Sequence, residues 1–560
     1  MSTSAPILRR DPAKVMRLSR LGSLHQCRLS FMRNLTRRMA RESWVFSRPV
    51  FDIDAQGVGH AVYTAQGPRR AYSLVVFAHD LPADQRSDRV IAEAWDATFT
   101  LFDGVPDTAA IDRLRANVPL QEAGRISEQE LSLSRANRSV RLWAHVVDRL
   151  AVGQQPDPAQ IAAVGYLMRT TAVYGSGKFG AVDRQNIADR VEMQAPFQAE
   201  MLSVYLTRSF VRDLVQHMAR VKGGDQAVDL DADIARSLGI GNSTGLGMAP
   251  FIVNHPVLFN NWIMAREDAI ARVRMVETAT PEAREEFGKM LHRATRQVAL
   301  WHSNHAHQIE KIADLKADLV KLDSFIANDD LTADFPWNRL FVWADAHLGE
   351  EGQELIASLM LEPYGDLVDD LCGDMADNNT NAFYIDGSMR ISELRGLIEN
   401  SFGWALLTDW DRRKTCARAW YVSEEKQEPR LGDRFAEPIA KYEQPLAPGR
   451  DAASAYAALG DYNADQPIAD FLLQHPEHRH TIRRAQISKI APYGEIHDNT
   501  IGDDLLPIHM LRAKLSFFGA TQFDPRSDRW VRICMYAGAP YPEDLSPQNA
   551  DFWVYPEGAQ

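Results

Sequence analysis

Cysteine is scarce in this chain: Cys27, Cys372, Cys416 and Cys534 are the only four in 560 residues, and they lie far apart. Without a C-x-x-C pair, neither a zinc ribbon nor a redox dithiol is encoded locally, and no disulfide framework calls for an oxidising compartment. No apolar run approaches the roughly 20 residues that span a bilayer. Low-complexity tracts are missing too, and no uncharged apolar core near the start suggests a secretory signal. No dinucleotide fingerprint opens the chain, and H-E-x-x-H does not occur. These absences leave a large globular protein with a cytoplasmic expectation. At 45% hydrophobic and 24% charged residues, its composition is that of an ordinary folded chain.

The net charge of −13 is unevenly spread. Residues 1–50 hold ten Arg and one Lys against Asp11 and Glu42, a balance of +9, which leaves −22 for the rest. From Asp11 to Ser43 the apolar residues Val15, Leu18, Leu21, Leu24, Phe31, Met32, Leu35 and Met39 recur at helical spacing. We read 1–43 as a basic amphipathic helix whose arginines pair with the acidic body. A partner-binding arm is the alternative. A transit peptide is disfavoured because the pattern runs straight into a strand-like segment at Trp44–Phe51. An acidic body without interleaved basic and aromatic residues argues against nucleic acid as a partner.

Strand-like runs come next at Trp44–Asp54, Gly59–Thr64 and Ala71–Ala78. Helical spacing then predicts helices at Ser87–Phe102, Glu128–Val152, Asp157–Thr171, Arg184–Lys222 (kinked at Pro196) and Pro250–Val276. More are predicted at Pro281–Ala327, Glu350–Leu371, Ile391–Trp410 and Asp451–Leu473. Asp386-Gly387 reads as a hairpin turn, and Thr415–Val422, Arg484–Ile490, Leu515–Phe523 and Arg529–Tyr536 read as strands. Strands therefore cluster at the two ends around a helical middle. The expected class is α+β, with a large, mostly helical central body and mixed strands from the N-terminal region and the C-terminal third. The expected division is a main body at 44–423, a linker loop at 424–449 and a C-terminal α/β segment at 450–560 packed on the body. A homo-oligomer is compatible with the dense helical middle.

Two glycine-rich stretches are the best pointers to a site. In Tyr174-Gly175-Ser176-Gly177-Lys178-Phe179-Gly180, Ser176 and Lys178 offer a hydroxyl and an ammonium beside a flexible backbone. Tyr174 and Lys178 share the Y-x-x-x-K spacing of short-chain dehydrogenases, but glycines at 175 and 177 do not suit the helix those enzymes need. Phe179 stands where a P-loop requires Ser or Thr, so neither family is assigned. The second stretch, Gly239 to Gly247, reads as a turn before a helix. Gly245 and the polar groups of Asn242, Ser243 and Thr244 would face a carboxylate, phosphate or oxyanion there, with Asn254 on the following helix.

His302, His305, His307 and Glu310 fall on one predicted helix, where His302 and His305 share a face. They suggest a general base or half of a metal site. Glu495, His497 and Asp498 end a predicted strand, and His497 suits acid/base work. His475, His478 and His480 read as exposed loop, and no metal site is assigned.

The leading expectation is an enzyme on a small anionic or polar metabolite, using acid/base chemistry of lyase or hydrolase type. Its substrate-binding residues would be Ser176, Gly177, Asn242, Ser243, Thr244, Gly245 and Asn254. Its proton-transfer residues would be Tyr174, Lys178, His302 and His497. Hydride and phosphoryl transfer rank lower because no nucleotide fingerprint opens the chain. The alternatives are a metal-dependent enzyme with His/Asp/Glu ligands, and a non-catalytic scaffold engaging acidic surfaces through the basic helix. No cofactor is assigned.

Overall fold

The computed structural model describes residues 9–86, 94–120, 124–170, 187, 189–245, 255–303, 306–329, 331–376, 384–412, 420–422, 429–431, 448–497, 509, 512–524 and 530–551. The fold is α+β with a helical majority. The chain divides into two compact units, each assembled from separate stretches. One comprises Met1–Leu24, Gly245–Gly288 and Ala313–Ala513, and the other His25–Thr244, Lys289–Ile312 and Lys514–Gln560. Among the described residues, no helix is long and apolar enough to cross a membrane.

A nine-stranded sheet organises the second unit. Strands β1 (Val45–Ile53), β2 (Gly59–Gln66), β3 (Ala71–Ala78), β4 (Ala97–Asp103), β5 (Glu130–Arg138) and β6 (Tyr166–Thr170) form an antiparallel meander. The first hairpin closes because Asp54 Oδ1 accepts the backbone N–H groups of Gln56 and Val58, both at 2.9 Å, while Gly57 takes φ of +81°. Strand β7 (Gly239–Gly245) then adds to β6 in parallel. The first unit holds a separate hairpin, β8 (Trp420–Val422) with β9 (Pro429–Leu431). C-terminal strands β10 (Gln522–Asp524) and β11 (Trp530–Met535) complete the large sheet, with β11 beside β7. Strands from both ends of the sequence thus share one sheet.

Both faces of the sheet are covered. On one, Phe210 of the long helix Gln198–Gly223 meets Tyr63 and Phe99 edge-on, with ring centroids 6.3 and 5.8 Å apart. On the other, Val62, Val75, Phe77, Phe102 and Leu133 pack against Ala110, Leu114 and Val118. Period-two alternation therefore places two sets of apolar side chains, which explains why β3 is buried along nearly its whole length. Arg208 ties this unit together from the same long helix. It donates to the carbonyls of Leu238 (2.8 Å), Arg236 (2.7 Å) and Ala539 (2.7 Å) and lies over the Tyr541 ring.

In the first unit the helices Ile391–Leu406, Pro448–Ala458 and Arg479–Ile490 enclose Leu394, Ile398, Phe402, Ala452 and Ile482. Elsewhere in this unit the core is ionic. Arg10 donates to Glu267 (2.8 and 2.7 Å) and to Glu354 (2.5 Å), and Arg266 donates to Glu354 (2.7 Å). Both carboxylates are fully buried. Burial alone pushes the Glu354 carboxyl up, but Arg10 and Arg266 outweigh it and hold the group down at about 2.

Several expectations are corrected. The segment 11–43 is not one helix. It contains a short helix, Pro12–Val15, and a longer one, Phe31–Arg41, because Gly22 turns the chain at φ of +74°, where a Cβ would lie 2.6 Å from the Arg512 carbonyl oxygen. Its arginines do face acids: Arg20 approaches Glu350, while Arg28, Arg33 and Arg37 converge on Asp551. Expected helices at Ser87–Phe102 and Glu128–Val152 give way to β4 and to β5 followed by the helix Trp143–Ala151. In β5 the order Leu131, Ser132, Leu133, Ser134 alternates in a way that helical spacing masks. Asp157–Thr171 splits into the helix Pro158–Val164 and β6, because Gly165 at φ of +78° ends the helix.

The helix expected from Arg184 begins at Gln198, after Pro196. Pro281–Ala327 is two helices, Pro281–Ala299 and Ala306–Asn328. Glu350–Leu371 keeps its first ten residues as the helix Glu350–Leu359 before shorter turns, and Asp451–Leu473 divides into Pro448–Ala458 and Ile468–Gln474. Arg484–Ile490 is helix, not strand, and Leu515–Phe523 is a π-turn at Lys514–Phe518 followed by β10. Asp386-Gly387 forms a turn, with Asp386 Oδ1 accepting the Ser388 N–H at 2.9 Å, but no strand follows it. Most of the expected linker at 424–449 lies outside the described residues, and β9 falls within it.

Candidate anion site at a parallel strand pair

Strand β7 is the second glycine stretch, so the expected turn is a strand as far as Gly245. Packing explains its glycines. A Cβ on Gly239 would lie 2.5 Å from the Met535 carbonyl oxygen, and one on Gly241 would lie 2.6–2.7 Å from the ring of Tyr166. Parallel registry pairs Tyr166 with Gly239 and Arg169 with Gly241. The crossover between the two strands contains the helix Gln198–Gly223, so β6, helix and β7 form a βαβ unit.

In the sequence, the first glycine stretch comes after β6, and the second forms β7 itself. Strand β6 ends at Thr170, and the chain goes on into Tyr174, Ser176, Gly177 and Lys178. Strand β7 carries Asn242, Ser243, Thr244 and Gly245 and leads into Leu246-Gly247. In sheets with parallel strands, ligands bind at such carboxyl ends, where backbone N–H groups and loops converge. Gly175, Gly177 and Gly180 also have G-x-G-x-x-G spacing behind a strand. The spacing was not legible as a fingerprint while 157–171 read as helix. It departs from a dinucleotide site in that β7 bears amide and hydroxyl residues instead of a carboxylate. Tyr174, Ser176, Gly177, Lys178 and Asn254 lie outside the described residues.

Asn242 is fully buried and connects three elements. Its Nδ2 donates to the Thr170 carbonyl at 2.8 Å, and its Oδ1 accepts from Lys514 Nζ at 2.8 Å. Lys514 begins the π-turn Lys514–Phe518, closed when the Gly519 N–H donates to the Lys514 carbonyl at 3.1 Å. Such five-residue turns recur at functional positions because they displace a side chain from the regular helical track. Three rings hold this one: Phe518 lies 5.1 Å from Phe31 and 5.0 Å from Phe197, and those two stack at 5.5 Å. Gly519 takes φ of +95°, and a Cβ there would lie 2.8 Å from Ser30 Oγ. Lys514 is completely buried, and burial pushes its ammonium well below the ordinary lysine range, toward the neutral amine. A neutral amine is a base and a nucleophile, which an exposed lysine at neutral pH is not.

Lys514 did not stand out in the sequence because Leu515–Phe523 read as an ordinary strand. The available signal was a lone lysine within the otherwise uncharged run Ala513–Ala520.

The histidine expectations fare differently. One helix ends at Ala299 and the next begins at Ala306, so His302 is not on a helix, and His305 lies outside the described residues. It is exposed, with Nδ1 3.3 Å from the Leu300 carbonyl oxygen. His497 belongs to the first unit, where it is half-buried and its backbone N–H donates to the Met16 carbonyl at 2.8 Å. Its neighbour Glu495 is buried in an ion pair with Arg484 at 2.8 Å, and burial pushes the Glu495 carboxyl up. Also in the first unit, the basic N-terminal segment lines a hollow of about 320 Å³ with Lys14, Arg17 and Arg20, but Asp11 and Glu350 share that lining. The hollow therefore presents both signs of charge. Compared with known proteins, the chain matches no family model, no curated sequence and no solved structure.

Proposed function

We propose that the protein is an enzyme that binds a small anionic metabolite at the carboxyl ends of β6 and β7 and acts on it by proton transfer, as a lyase or hydrolase. The observation that carries this reading is the placement of Lys514, held by Asn242 of β7 in a βαβ unit whose β6 precedes the first glycine-rich sequence and whose β7 forms the second. Backbone N–H groups and Lys178 would hold the anion. The lone pair on Lys514 Nζ would take a proton from substrate or water and return it at the end of the cycle. Tyr174 would serve as the complementary acid. His302 and His497 are not needed for this chemistry.

The test is calorimetric binding of phosphate monoesters and small dicarboxylates to the full chain, followed by turnover assays on those that bind. Lys178→Ala should weaken binding at least about tenfold, the share of one charge-assisted contact, with little change in thermal stability. Lys514→Met should abolish turnover of a ligand that still binds. A bound ligand whose affinity ignores Lys178→Ala and whose turnover survives Lys514→Met would remove the basis of the proposal.

A further inference from the structure

Independently of the anion site, we infer that the turn His475-Pro476-Glu477-His478 in the first unit is a binding site for a divalent transition metal of the zinc type. The three ligand atoms lie within 4.8 Å of one another, and His475 Nδ1 stands 3.2 Å from Glu477 Oε1. Two ligands held about 2.1 Å from one tetrahedral ion are about 3.4 Å apart, so this pair already has the separation an ion requires. Two imidazoles and a carboxylate also match the borderline softness of Zn²⁺, Co²⁺ or Ni²⁺, and not Mg²⁺ or Ca²⁺, which prefer all-oxygen shells.

The turn is built to hold the rings in place. His475 ends the helix Ile468–Gln474, its N–H donating to the Phe471 carbonyl at 2.8 Å, and the His478 N–H donates to the His475 carbonyl at 3.2 Å. Both rings stack on Phe471, with centroids 4.9 and 5.8 Å from it. Phe471 is itself fully buried in the core of the three-helix cluster. A core side chain thus orients two ligands at the surface, and the exposed Glu477 completes three protein donors. The fourth position is left to water or an incoming ligand, the arrangement of an open coordination site. In the sequence the same residues read as loop because the spacing His-x-x-His gives no hint that a turn would fold the rings over one phenylalanine.

The experiment is calorimetric titration of the full chain with Zn²⁺, repeated with Co²⁺ to read the visible spectrum of a tetrahedral site. The chain has 16 histidines, so the controls decide the assignment. One equivalent should bind to the wild type. Affinity should fall at least about tenfold in His475→Ala and in His478→Ala, and the site should vanish from the double variant. His302→Ala and His480→Ala should bind as the wild type does. Unchanged stoichiometry and affinity in a folded double variant, loss of binding in His302→Ala, or no Zn²⁺ binding by the wild type would each overturn the inference. Lys514→Met should leave Zn²⁺ binding untouched, so this test and that of the anion site fail separately.

Discussion

Glu354 in one unit and Lys514 in the other are both completely buried, and the partners of each determine what burial does to it. Glu354 receives hydrogen bonds from Arg10 and Arg266 and stays ionised, its carboxyl held at about 2. Lys514 donates to the neutral amide of Asn242, and burial drives it toward the uncharged amine. A compensated charge is a structural fastener that ordinary pH does not disturb. Desolvation of an amine instead lowers its pKa and favours the neutral form. That contrast makes the first cluster a structural fastener, and the proposed function draws on the second.

The largest expected effect breaks the first half of the comparison. Glu354→Ala leaves two buried guanidinium groups short of a carboxylate and should cost about 3–5 kcal/mol, measured by urea denaturation at pH 7. A loss below about 1 kcal/mol would mean that the network does not hold the unit together. The same carboxylate predicts acid sensitivity. Its folded pKa lies below the ordinary 4.5, so its contribution is complete above pH 4.5 and fades as pH falls through about 2. The full contribution is roughly 3 kcal/mol. The stability gap between wild type and Glu354→Gln should therefore close across that window, and a gap independent of pH would show that the ionised form is not what stabilises.

Gly241→Ala tests the framework of the second cluster. The new methyl meets the Tyr166 ring and should cost about 1–3 kcal/mol by overpacking, read as a fall in Tm. A neutral substitution would mean that β7 can move away from Tyr166. Lys514→Met sharpens the contrast most directly. Removing an amine that has to be desolvated offsets the lost hydrogen bond to Asn242, so stability should change by less than about 1 kcal/mol while turnover disappears. If stability collapses as it does for Glu354→Ala, Lys514 is a fastener as well. The smallest effect belongs to the exposed pair Lys14–Asp345. Lys14→Ala should stay within about 0.5 kcal/mol, and a larger loss would place that surface pair among the buried fasteners.

Legibility from sequence followed locality. Strands β1, β2 and β3 could be read because alternation and β-branched residues act over a few positions. β4, β5 and β6 were missed because their short apolar sets also fit helical spacing, and only pairing with neighbouring strands separates the two readings. The glycines at 239 and 241 were recognised as special, but as part of a turn and not of a strand. They accommodate Met535 and Tyr166, which are distant in sequence. Lys514 could not be identified because its environment is assembled by Asn242, 272 residues away, and by rings from three separate segments.

Composition, charge balance and apolar spacing by themselves determined a helical majority and strands drawn from both ends of the chain. They also marked the acid-pairing arginines near the start, because each of these is a property of residues taken singly or a few positions apart. Tertiary structure alone decided that β6 and β7 lie parallel, that the second glycine-rich sequence is β7 itself, and which buried group burial drives toward its neutral form. Those outcomes depend on desolvation and on partners brought together from remote segments, and only the folded chain creates either.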